Sequence, residues 1–135
     1  LTIAAQLLNK NQKLKKIGII DFDAHYGNGT DDIICKLKLN YIKHITFGKH
    51  YYKYNDSFLW LLYLEDQLNY FKDCEILLYQ AGADPHVDDP LGGYLTTEQM
   101  MQRDRSSFLE SPRQFCRVLL SRACATVSER PWQYQ

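Results

Sequence analysis

Two short acidic segments of this chain carry the residue types that hold divalent cations. The first is Asp21-Phe22-Asp23-Ala24-His25-Tyr26-Gly27-Asn28-Gly29-Thr30, which sets two carboxylates and an imidazole at every second position. On an extended chain alternate side chains share a face, so this spacing predicts Asp21, Asp23 and His25 on one side where a strand ends. Gly27 and Gly29 make the following loop flexible. The second segment runs from Gln80 through Ala81-Gly82-Ala83-Asp84-Pro85-His86-Val87-Asp88-Asp89-Pro90-Leu91 to Gly92-Gly93 and places Asp84 shortly after an apolar run.

Three protein ligands of mixed nitrogen and oxygen type, with one position left for water, are the usual arrangement of a catalytic zinc. Asp23, His25 and Asp84 form such a set. A lone D-x-D-x-H at a strand end is more often a turn, a cap or a surface ion pair. Two such segments, each closing a buried strand, favour the cation site.

The elements that must position them follow from periodicity. Ile3, Leu7 and Leu8 recur at helical spacing between Leu1 and about Leu14, predicting an amphipathic helix. Ile17-Gly18-Ile19-Ile20 is a β-branched run that stops at acidic residues, predicting a buried parallel strand over Lys16 to Asp23. Further strands are expected over Ile42 to Phe47 and Glu75 to Gln80, a helix over Ser57 to Phe71, and another over Thr96 to Arg105. Helices alternating with short buried strands imply an α/β fold with a parallel sheet, whose ligands bind beyond the carboxyl ends of the strands. Both acidic segments lie at such ends.

The 16 basic and 16 acidic side chains cancel, so no summed field points to nucleic acid or to an anionic membrane surface. No apolar run reaches the length of a spanning helix. The cysteines, Cys35, Cys74, Cys116 and Cys124, show neither a C-x-x-C pair nor a dense disulfide pattern, which suits a reduced, cytoplasmic setting.

The first segment resembles the D-x-D-x-H-x-G-N-G-T run of histone deacetylases and their bacterial relatives, including acetylpolyamine amidohydrolases. Gln80 to Thr97 is similar to the same family's Q-A-G-A-D-x-x-x-D-D-P-L-G-G segment, and the likeness extends over roughly Leu1 to Arg105. It implies an arginase-like and deacetylase-like parallel sheet flanked by helices, here incomplete, with Asp23, His25 and Asp84 holding Zn2+. It also implies that Asp21 helps bind a monovalent cation, typically K+. Arginases differ by holding two manganese ions. They place a further Asp where this chain has Gly27, and a second carboxylate where it has His86, so a mononuclear site is favoured.

By that resemblance the substrate is an acetylated lysine on a protein or a small acetylated amine. A zinc ion there polarises the amide carbonyl and lowers the pKa of its water towards about 7. A general base and an oxyanion donor are also needed. The family takes them from adjacent histidines upstream and from a tyrosine in a Gly-rich segment. Among the four histidines, His25, His44, His50 and His86, none is adjacent to another, and no Gly-Gly-Tyr follows Arg105. Tyr94 follows Gly92-Gly93 but belongs to the metal segment. His86, beside Asp88 and Asp89, is expected to be hydrogen-bonded at the surface. Tyr51, Tyr52 and Tyr54 are expected to pack.

Composition changes after Arg105. All ten Lys precede residue 73, all six Arg follow residue 102, and five of the six Ser lie in the last thirty-five residues. The expected organisation is a partial catalytic domain over 1–105 and a divergent or frameshifted tail over 106–135, with an amphipathic helix over Pro112 to Val127 as the competing reading of the tail. The chain thus reads as an incomplete, inactive fragment of a zinc-dependent deacetylase. The readings kept beside it are an acetylpolyamine amidohydrolase and a non-catalytic metal-binding or interaction module.

Overall fold

The β-branched run does form the central strand. β1 (Ile17–Asp21) is buried along its whole length, as a strand covered on both faces must be. The structure is a computed structural model that describes residues 1–50, 57–90, 93–109 and 116–117. β2 (Ile42–Thr46) and β3 (Ile76–Gln80) flank β1 in parallel, with Ile17 opposite both Ile42 and Ile76 and Asp21 opposite both Thr46 and Gln80. A two-residue strand, β4 (Cys116–Arg117), pairs in parallel with Ile76 and Leu77 and completes the order β2-β1-β3-β4.

Alternation along the strands sends side chains to two cores. Ile17, Ile19, Ile42, Ile76 and Leu78 pack with Ala5 of α1 (Thr2–Gln12) and Ile34 of α2 (Asn28–Lys36). Ile20, Leu77 and Tyr79 face the other way, toward Trp60 of α3 (Ser57–Leu62), Leu64 and Leu68 of α4 (Leu64–Asn69) and Met100 of α5 (Thr97–Leu109). The sheet therefore carries helices on both sides, the expected α/β class. The start of α5 is set by a capping box: Thr96 Oγ1 accepts from Gln99 N–H at 3.3 Å, and Gln99 Oε1 accepts from Thr96 N–H at 2.9 Å. No helix among the described residues is long and apolar enough to cross a membrane.

Three expectations need correction. The segment expected to be a flexible loop through Gly27 and Gly29 opens α2 at Asn28, because Ile33 and Ile34 lie one turn on and Ile34 has a core to enter. The helix expected over Ser57 to Phe71 is two helices, broken at Tyr63. In the tail, Cys116 and Arg117 are extended, so no helix runs through them; the remainder of Pro112 to Val127 lies outside the described residues, as do Tyr51, Tyr52 and Tyr54. Cys35 and Cys74 are free thiols, and burial pushes the Cys74 thiol up to about 11, which makes it a packing residue at neutral pH.

At the amino ends of the strands, Asp73 receives Lys16 at 2.8 Å and Lys43 at 2.5 Å. Hydrogen bonds from these two lysines hold the Asp73 carboxyl below its ordinary range. A depressed folded-state pKa means that the pairing stabilises above the unfolded value of about 3.9 and is lost as pH falls. Asp73→Asn should therefore flatten the acid limb of the melting-temperature profile below about pH 4. The difference from the parent should disappear in 1 M salt, which screens exposed pairs.

Candidate metal centre

The strand order makes the position of the site intelligible. From β1 the chain crosses to β2 on one side, then returns past β1 to β3 on the other, so β1 and β3 are neighbours whose connections leave in opposite directions. Such a switch point opens a crevice beyond the carboxyl ends of the two strands. Asp23 and His25 leave β1 there, and Asp84 leaves β3. One ligand atom from each of these three residues lies within 4.8 Å of the others.

Local hydrogen bonds hold the set. His25 Nδ1 is 2.7 Å from Asp84 Oδ2 and 4.0 Å from Asp23 Oδ1. The amide of His25 donates to Asp23 Oδ1 at 2.6 Å, and the amide of Ala24 donates to Asp84 Oδ1 at 3.2 Å. The first segment thus bends after Asp21 and does not continue as a strand. Asp21, Asp23 and His25 consequently do not share one extended face. Asp21 instead lies behind the set, 8% exposed, accepting the amide of Asp23 at 3.2 Å.

Burial, then the charge of Asp23 and more weakly that of Asp84, pushes the Asp21 carboxyl up to about 7, against the opposing Asp23 amide. Burial also raises Asp23, with the His25 amide opposing and Asp84 adding. Beyond burial, like-charge repulsion from Asp84 bears on both Asp21 and Asp23. A cation would relieve it. One imidazole nitrogen and two carboxylate oxygens also suit zinc, whose tetrahedral ligand atoms stand about 3.4 Å apart at its usual bond lengths.

Two glycines admit the close approach of the loops. A Cβ on Gly82 would lie 2.2 Å from Asp23 Cβ and 2.7 Å from Asp84 Oδ1, so the β3 loop touches the β1 loop directly. A Cβ on Gly48, in the 3-10 turn Phe47–Lys49 that follows β2, would lie 2.2 Å from the carbonyl of His25. Gly82→Ala should cost about 1–3 kcal/mol by overpacking. Gly29→Ala, whose Cβ meets nothing within 4 Å inside α2, should instead stabilise by about 0.5–1 kcal/mol. Urea melts of the two variants check both signs.

The remaining histidines stand apart from this set. His86 is held at both ring nitrogens: Nδ1 accepts the amide of Asp88 at 3.1 Å, and Nε2 lies 2.9 Å from Thr97 Oγ1. That fixes the Nε2–H tautomer and bears out a structural role for it. His44 turns to α2, with Nδ1 2.6 Å from Asp31 Oδ1. His50 is exposed at the end of the turn after β2. Sequence reasoning missed Thr46, whose Oγ1 receives the Gly27 amide at 3.0 Å, and the buried Arg103. The signal for Arg103 was available: it shares a helical face with Met100 and Ser107, both turned inward.

A comparison with curated proteins returned no match. Residues 1–58 match the family model of the Histone deacetylase domain. The matched stretch contains Asp23 and His25; Asp84 lies beyond it and joins them through the fold. Over those residues, less than half of the chain, it is similar to the Histone deacetylase domain.

Proposed function

We propose that this chain holds the metal of a zinc-dependent amide hydrolase that removes acetyl groups from lysine side chains or from small acetylated amines. The observation that carries the reading is the convergence of Asp23, His25 and Asp84 within 4.8 Å at the switch point of a parallel sheet. The similarity of residues 1–58 to the Histone deacetylase domain supports deacetylase chemistry for that site, and with it the arginase-like architecture.

Asp23 and Asp84 would each offer a carboxylate oxygen and His25 its Nδ1. When bound, zinc would polarise the acetyl carbonyl and acidify a water to a pKa of about 7. Asp21 sits behind the ligand loop and would help hold a monovalent cation such as K+, while its bond to the Asp23 amide keeps the loop bent. The Ala24 and His25 amides orient the two carboxylates before any metal arrives, which lowers the ordering cost of binding. The proton-transfer base and the oxyanion donor are assigned to residues outside this ligand set.

A catalytic site keeps one coordination position open, whereas a structural site is closed by four protein ligands. Equilibrium dialysis of the zinc-loaded chain against a simple alkyl hydroxamate separates the two. Binding that is lost in Asp84→Ala is the expected result. Tightly held zinc that admits no hydroxamate would instead mark a closed, non-catalytic metal module.

A further inference from the structure

We infer that Arg103 is a positioning residue for the metal centre, clamping the two ligand-bearing loops to each other from behind. The inference rests on the reading of Asp23, His25 and Asp84 as metal ligands. Arg103 lies on α5, twenty-one residues beyond Gly82, and is 2% exposed. A buried guanidinium is costly unless its charge is balanced and its donors are used.

The balance comes from Asp104, whose Oδ1 accepts from Arg103 Nε at 2.7 Å and also from the Tyr79 hydroxyl. The Trp60 ring lies 5.9 Å from the guanidinium carbon. Ser107 Oγ donates to the Arg103 carbonyl at 2.7 Å. Side chain and backbone are thus both fixed.

One terminal nitrogen is spent on the metal loops. Arg103 Nη1 donates to the carbonyl of Phe22 at 3.2 Å and to that of Gly82 at 2.8 Å. A terminal guanidine nitrogen carries two protons, and here one goes to each loop. The Phe22 carbonyl belongs to the peptide unit whose N–H is that of Asp23, and this N–H donates to Asp21 Oδ1. That peptide plane is therefore held at both ends immediately before the first ligand. The Gly82 carbonyl lies two residues before Asp84, in the loop that presses on Asp23. One cation on α5 therefore sets the spacing between ligands that come from different strands.

The test uses the full chain, Zn2+ and a chromogenic chelator as competitor. Arg103→Lys, Arg103→Met and, as a control on the same helix face, Met100→Ala are compared at a denaturant-free pH of about 7. Metal-free urea melts report the stability of each. Losing an outer-shell partner weakens metal affinity by about 10–100-fold, so Arg103→Met should weaken zinc by that factor. Arg103→Lys keeps the charge but not the fork and should fall between it and the parent. Met100→Ala should lose stability with its zinc affinity unchanged. The absorption bands of the cobalt-substituted protein should shift in the Arg103 variants and not in Met100→Ala.

If Arg103→Met fails to fold, Arg103→Lys decides by the same criteria. Zinc affinity that survives in the Arg103 variants, or that falls equally in Met100→Ala, overturns the inference and leaves the metal site standing. An unsubstituted chain that takes up no zinc removes the metal reading itself, and the inference with it.

Discussion

Replacing Asp84 with alanine should weaken zinc binding by more than about a hundredfold, beyond the upper end of what the loss of an outer-shell partner costs. Asp84 is the one ligand supplied by β3. Asp23 and His25 sit two residues apart in the same loop and cannot by themselves surround an ion. Asp84 also accepts the Ala24 amide and stands 2.7 Å from His25 Nδ1, so its removal releases the orientation of the histidine as well. Asp88 is the matched control. It belongs to the same acidic segment, but its side chain is 87% exposed, and Asp88→Ala should leave the affinity within about twofold, since a solvated charge contributes little to a site it does not touch. Competition with a chelator of known affinity reads both. Equal losses in the two variants would mean that zinc binds the acidic segment diffusely.

The second large effect concerns the residue between the two aspartates of the first loop. Phe22 is fully buried. Its ring makes edge-to-face contacts with Phe47, Trp60 and Tyr79 at centroid separations of 4.4, 5.2 and 5.4 Å. Phe22→Ala removes the hub of this cluster and should cost about 3–5 kcal/mol, combining lost transfer energy with the cavity left behind. Small domains hold only about 5–15 kcal/mol in total, so this change alone should bring the chain close to unfolding. Phe22→Leu should recover part of the loss. Urea melts of the metal-free protein measure it, and a cost below about 1 kcal/mol would mean that the aromatic cluster is not a rigid support for the loop.

The alternation in D-x-D-x-H makes this coupling between core and site direct. Phe22 points into the apolar layer, while Asp21 and Asp23 flank it, one buried and one half-buried at the mouth of the crevice. A loss of packing at Phe22 therefore moves Asp23. The stability and zinc measurements on Phe22→Ala should fall together, whereas Asp73→Asn, at the opposite end of the strands, should affect stability alone.

Parts of this arrangement were readable in the residues because the physics behind them is local. Ile17-Gly18-Ile19-Ile20 and Ile76-Leu77-Leu78 announce strands buried on both faces, and their ends coincide with the acidic segments. From there a parallel sheet leaves little choice but to bring Asp84 beside Asp23 and His25. What resisted reading depends on contacts between distant residues. Asn28-Gly29-Thr30 carries weak helix formers, and only the packing of Ile34 against the Ile17 and Ile42 layer makes α2 worthwhile. Asp21 matched the alternation of the ligand motif, yet the bend at Phe22 takes it out of the ligand set. Gly82, Gly48 and Arg103 look unremarkable along the chain, because their value lies in what they touch about twenty to eighty residues away.

The zinc content of the purified chain, measured by atomic emission, tests whether the two loops assemble one metal site. The comparison is with a His25→Ala and Asp84→Ala double variant whose folding is checked by circular dichroism. Near-stoichiometric zinc is expected in the parent chain and none above background in the variant. A folded parent chain without zinc, or a variant that retains as much as the parent, would contradict that assembly.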